Sequence, residues 1–93
     1  MMDTAAVAAA VHGRLRGGNV RFSRVTTDTR ALAAGDLFVA LAGERFDGHD
    51  FLSTAAVQGV TAAMIARARA SALPSTLPGI LVDDPRRAFG DVT

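Results

Sequence analysis

Ninety-three residues set one domain as the expectation, and a hydrophobic fraction of 49% is ordinary for a globular chain and argues against disorder. A net charge of +1, from ten arginines against nine acids with no lysine, gives no broad basic patch for a duplex, and the lack of cysteine excludes disulfides, thiol catalysis and cysteine-based zinc sites. No apolar run approaches the roughly 18 residues of a membrane span, and the start of the chain lacks the basic segment of a signal peptide, so the cytoplasm is the default location.

The chain opens on Asp3 and Thr4, both good helix N-caps, followed by AAVAAAVHGRL. Val7, Val11 and Leu15 repeat at helical spacing, which predicts a helix over 4–12 ending near Gly13, with Gly17 and Gly18 as further punctuation. VRFSRVTT at 20–27 alternates apolar and polar and reads as one or two short strands closed by TDTR. ALAAGD is a turn. LFVAL at 37–41 is continuously apolar, the pattern of a strand buried on both faces.

GERFDG follows as a loop. HDFLSTAAVQ reads as a helix with Phe51, Leu52, Ala55 and Ala56 on one side, Asp47 or Asp50 at its start and Gly59 just past its end. TAAMIA at 61–66 is a second buried strand, ARASALPSTLP is loop-like, and GILVD at 79–83 is another strand. Asp84-Pro85 then reads as the N-cap and first position of a helix that the chain end cuts short. A strand–helix–strand unit over 37–66 fits a βαβ crossover. The fold class is therefore α/β, a small mixed sheet flanked by helices, with Phe38, Val39, Phe51, Met64 and Ile65 in the core.

No nucleophile constellation is visible, and the phosphate-loop pattern GxxxxGK[ST] is absent. His12 reads as a surface residue near a helix C-terminus and His49 as a loop or capping contact; the sequence offers no spacing of ligands for a metal. Asp36, Asp47 and Asp50 fit turn and cap roles, whereas Asp28 and Glu44 are less easily explained that way. What remains is a binding edge. TDTR and GERFDG each follow a strand, where α/β sheets place ligands. They supply hydroxyls (Thr27, Thr29), a guanidinium fork (Arg45) and an aromatic face (Phe46), the parts needed to hold a pyrimidine and a diphosphate.

TTDTR, AAGDLFVAL and AGERFDGHDF, followed by a helix and a buried strand, resemble the N-terminal domain of the Mur ligases, over about residues 20–93. The likeness is greatest to the MurF type, with the MurE type second. The combined spacing is specific, and Thr29 stands where many members carry Ser, which keeps the hydroxyl.

The resemblance implies a single N-terminal domain, residues 1–93, that holds the UDP end of UDP-N-acetylmuramoyl-tripeptide. ATP-binding central and C-terminal domains would lie outside the chain. The full-length ligase would use ATP and magnesium, neither bound by this segment, to join D-alanyl-D-alanine held by the absent domains. It would act as a monomer without nucleic acid or membrane.

By the same resemblance the substrate-binding residues are Thr27, Asp28, Thr29, Glu44, Arg45, Phe46 and Asp47, and none is catalytic. Thr29 would bond the uracil, Arg45 would face phosphate and Phe46 would pack on the uridine, while Arg30 would pair with an acid. Two other classes stay open: a stand-alone small-ligand or regulatory module of the same fold, and an interaction domain docking through its alanine-rich helix.

Overall fold

The structure, a computed structural model, describes residues 3–92. Helix α1 (Thr4–Ala10) starts where Asp3 accepts a hydrogen bond from the Ala6 N–H, so Asp3 rather than Thr4 is its cap. Thr4 is instead fully buried, and its Oγ1 donates to Asn19 and accepts from the Val20 N–H. The helix stops short of the expected end because Val11 leaves helical geometry and His12 takes a left-handed φ of 55°.

Five strands follow: β1 (Arg14–Arg16), β2 (Arg24–Thr26), β3 (Asp36–Val39), β4 (Ala62–Ala66) and β5 (Gly79–Val82), in the spatial order β1-β5-β4-β3-β2. β2 to β5 are mutually parallel and β1 is antiparallel to β5, so the sheet is mixed. The segment 20–27 yields one strand; Arg21 contributes only an isolated bridge to Asp3, and Phe22 turns into the core.

β1 departs from the expectation of a glycine-punctuated connector, and Leu15 sits on this strand rather than on the helical stripe. Three residues carry almost no local strand signal. β1 exists because Leu15 pairs with Ile80, and its exposed Arg14 and Arg16 discourage further pairing at that edge.

The alternation along the central strands divides the core into two halves. Leu37, Val39, Ala62, Met64 and Ile80 pack with Val7 of α1 and Ala88 of α3 (Pro85–Val92). Phe38, Ala40, Ala63 and Ile65 face Leu52 and Ala55 of α2 (Leu52–Val57) together with Leu73 and Leu77. Small alanines on β4 let the helices approach the sheet closely, and complete burial of Leu, Ile, Met or Phe stabilises by about 1.5–3 kcal/mol each.

The segment 48–57 is not one helix. A 3₁₀ turn, Gly48–Phe51, capped by Asp47, leads into α2, and Phe51 is half-buried rather than part of the core. Gly59 follows α2 with φ of 93°, the left-handed exit that glycine favours. The stretch after β4, read as loop, forms 3₁₀ turns over Arg67–Ala72. α3 begins as expected, with the Asp84 carboxylate accepting from the Arg86 and Arg87 N–H groups.

Candidate functional site at the carboxyl edge of the sheet

Four parallel strands end on one edge: β2 at Thr26, β3 at Val39, β4 at Ala66 and β5 at Val82. TDTR leaves β2 and GERFDG follows β3, and these two strands are hydrogen-bonded neighbours. Topology thus brings the two candidate stretches to the same edge.

The first stretch is held by its own polar groups. Thr26 Oγ1 accepts from the Asp28 N–H at 3.1 Å, and Asp28 Oδ1 accepts from the Arg30 N–H at 2.9 Å and from Arg30 Nε at 3.3 Å. These bonds, the backbone one foremost, hold the Asp28 carboxyl below the usual carboxylate range. Asp28 thus shapes the turn through Oδ1, and Arg30 pairs with it at an exposed site. Thr27 and Thr29 are half-buried, and their hydroxyls make no hydrogen bond among the described residues.

Behind this turn lies an ion pair that the sequence reading missed. Arg24 grips Asp36 through two bonds, Nε to Oδ1 at 3.0 Å and Nη2 to Oδ2 at 2.7 Å, and also reaches the Ala31 carbonyl at 2.7 Å. Asp36 is 2% exposed and also accepts from the Ala33 N–H. Arg24 keeps the Asp36 carboxyl below its ordinary pKa, against the opposing effect of burial. The pair ties the return segment 27–35 to both β2 and β3. One signal was available: Arg24 lies within the stretch 20–27 read as strand, and Asp36 directly precedes the strand read at 37–41.

The second stretch is a tight hairpin. Ala42 and Asp47 form a bridge, the Gly43 N–H donates to the Phe46 carbonyl at 2.6 Å, and Glu44 and Arg45 occupy the tip. Both tip side chains are exposed, with no ion-pair or hydrogen-bond partner among the described residues. Phe46, 46% exposed, stacks on Phe51 with ring centroids 5.0 Å apart and planes 23° apart. The chain then folds back so closely that a Cβ on Gly48 would lie 2.9 Å from the Leu41 nitrogen and 3.0 Å from the Ala40 Cα.

Asp47 is occupied internally. Its Oδ1 accepts from the His49 N–H at 2.9 Å and meets His49 Nδ1 at 2.6 Å, and its Oδ2 pairs with Arg69. Burial pushes its pKa up, but the His49 and Arg69 bonds together outweigh that and bring it down to about 2. His49 is buried, and its Nε2 accepts from the Ala66 N–H at 3.1 Å. An amide N–H can only donate, so the ring proton sits on Nδ1, directed at Asp47. His49 is thus the loop contact expected of it, with the further task of joining the hairpin to the end of β4.

The candidate edge is open. Neither of two clefts is lined by TDTR or GERFDG: one of about 230 Å³ lies at the end of β5 beside His12, Asp83 and Arg87, and one of about 280 Å³ lies between Arg16 and Pro74–Pro78. Among the described residues, no group of three or more His, Cys, Asp or Glu could hold a metal.

Residues 21–93 match the family described as "Mur ligase family, catalytic domain". The chain belongs to the Mur ligase family. It is 45% identical over 82 residues to the UDP-N-acetylmuramoyl-tripeptide–D-alanyl-D-alanine ligase of Escherichia coli K12, an alignment covering 88% of this chain and 17% of that ligase. It is 40% identical over 76 residues to the UDP-N-acetylmuramoyl-L-alanyl-D-glutamate–2,6-diaminopimelate ligase of Streptomyces coelicolor, covering 81% of this chain and 15% of that ligase.

Among solved structures, a crystal structure of MurF from Acinetobacter baumannii superposes with a TM-score of 0.74 at 28% identity, covering 94% of this chain and 19% of that one. The chain therefore spans about a fifth or less of the length of these relatives. The α/β fold expected from the sequence is shared by the part of that structure on which the chain superposes.

Proposed function

We propose that this chain is the UDP-substrate-binding domain of a Mur ligase of the MurF type, one that joins D-alanyl-D-alanine to UDP-N-acetylmuramoyl-tripeptide. One observation carries the reading: Thr27 and Thr29, and the tip residues Glu44 and Arg45, stand at adjacent parallel strand ends with their side-chain polar groups uncommitted among the described residues. The 45% identity to the E. coli tripeptide–D-alanyl-D-alanine ligase supports the substrate assignment.

In this reading Thr29 bonds the uracil and Thr27 lines the pocket beside it. Arg45 presents a guanidinium fork to the diphosphate. Phe46 rests one face on Phe51 and offers its exposed side to the uridine. Glu44 shares the hairpin tip. Asp28 and Asp47 act by shaping the two loops: Asp28 Oδ1 serves Arg30, and the two Asp47 oxygens serve His49 and Arg69. Hydrogen bonds to charged groups contribute about 1.5–3 kcal/mol each, so a few of them with one stacked ring reach micromolar affinity, about −8 kcal/mol.

The domain supplies position. It anchors the remote end of the substrate so that binding energy orients the reacting end. ATP and magnesium belong to the longer cytoplasmic, monomeric ligase, where ATP activates the substrate carboxylate for attack by the dipeptide amine. No residue of this chain takes a chemical step.

Calorimetric titration with UDP and with UDP-N-acetylmuramoyl-tripeptide tests the reading. Arg45→Ala and Thr29→Val each weaken binding of both ligands about tenfold or more if the assignments hold. Unchanged affinity in either variant removes the corresponding role. The similarity to the S. coelicolor diaminopimelate ligase favours a second reading, the MurE type. The full-length enzyme, offered D-alanyl-D-alanine or diaminopimelate as the amine, separates the two.

A further inference from the structure

Among the described residues, the hairpin that carries Glu44 and Arg45 is held by the Phe46–Phe51 stack and by bonds at its base. Its two stem residues, Ala42 and Asp47, are each held by an arginine from a different part of the edge. Arg69, from the 3₁₀ segment after β4, pairs with Asp47 Oδ2 and lies 3.6 Å from Asp50. Arg86, from the first turn of α3 after β5, donates through Nη2 to the Ala42 carbonyl at 3.1 Å. Each arginine is itself aimed by its own element. The backbone leaves helical geometry at Arg69, and the Asp84 carboxylate caps the turn that carries Arg86. Both are charged groups on solvent-facing segments, and neither bond is needed to bury the core.

We infer that Arg69 and Arg86 are positioning residues, which fix the hairpin base so that its tip meets a uridine diphosphate. The inference rests on the uridine-diphosphate reading of this edge. The side chains of the two tip residues have no partners among the described residues, so the tip depends on how its stem is held, and the two arginines tie that stem to the segments after the third and fourth parallel strands. Without them the hairpin would have to be ordered by the ligand at the moment of binding, at a cost in affinity. His49 remains to hold the stem from the β4 side, so the hairpin loosens rather than unfolds.

The test uses Arg69→Met, Arg86→Met and the double variant. Three quantities are read: the thermal midpoint, the amide shifts of 43–48 without ligand, and the affinity for UDP. The expected result is a nearly unchanged midpoint and shifted amides confined to the hairpin and its contacts. UDP binding should be about tenfold weaker in the double variant. Arg69→Lys, which keeps a charge on Asp47, should recover most of the affinity.

Hairpin amides that stay in place in the double variant overturn the inference. So does full UDP affinity with the hairpin displaced. A wild-type chain that binds no UDP, while the variants still shift the hairpin amides, overturns the proposed function and upholds the arginine clamp.

Discussion

At the scale of single residues, the carboxylates separate into two kinds. Asp36 is buried and depends on Arg24, so Asp36→Ala strands a half-exposed guanidinium and removes the anchor of segment 27–35. Removing one partner of such a pair costs roughly 2–3 kcal/mol, measurable as a lower urea midpoint at unchanged slope.

Asp47 sets an acid limit. Its pKa is about 2 in the folded chain against 3.8 for the free side chain. As pH falls, the unfolded chain takes up the proton first, so this stabilisation is complete above about pH 5 and lost as pH approaches 2. The carboxylate keeps solvent contact, which limits its share to about 1 kcal/mol. Asp3, Asp28 and Asp36 shift in the same direction, so unfolding followed against pH should show stability declining on the acid side.

The sequence showed Asp47 as a turn or cap residue, which it is; it set Asp28 apart from that class, yet Asp28 also shapes a turn. It did not show Arg69 as the partner of Asp47 or Arg86 as the partner of the Ala42 carbonyl. Those contacts span sequence separations of 22 and 44 residues and leave no periodic signal.

At the scale of elements, the readable features were those with a local physical cause. LFVAL and TAAMIA announced buried parallel strands because both faces had to be apolar, and both lie at the centre of the sheet. Asp84-Pro85 announced a helix start because cap and fixed φ act within two residues. β1 could not be read, since its three residues become a strand only against β5. The 3₁₀ turn before α2 was hidden for a similar reason. Gly48 lies against the Leu41 and Ala40 backbone, which forces a tighter path than the helical pattern suggested.

That contact yields its own prediction. Gly48→Ala must push the hairpin off β3, costing about 1–3 kcal/mol and moving the amide signals of residues 41–48 first. A variant as stable as the parent, with those signals unmoved, would show that the backbone relaxes around the methyl group.

At the scale of the whole molecule, a mixed five-stranded sheet with α1 and α3 on one face and α2 on the other brings four strand ends to one edge. The two candidate stretches follow the first two of those ends, and internal ion pairs hold their loops in place. The candidate site was legible in outline because TDTR and GERFDG each follow a predicted strand. Its division of labour was not, because the sequence does not show which polar groups are already satisfied. Asp28 and Asp47 proved occupied, while Thr27, Thr29 and Arg45 remained available.

The most direct measurement follows backbone amide shifts of the 93-residue chain during titration with UDP, UDP-N-acetylmuramoyl-tripeptide and ATP. The account predicts shifts at 27–30 and 43–48 with both UDP compounds and none there with ATP. A folded sample in which those amides ignore both UDP compounds, or respond equally to ATP, would contradict it.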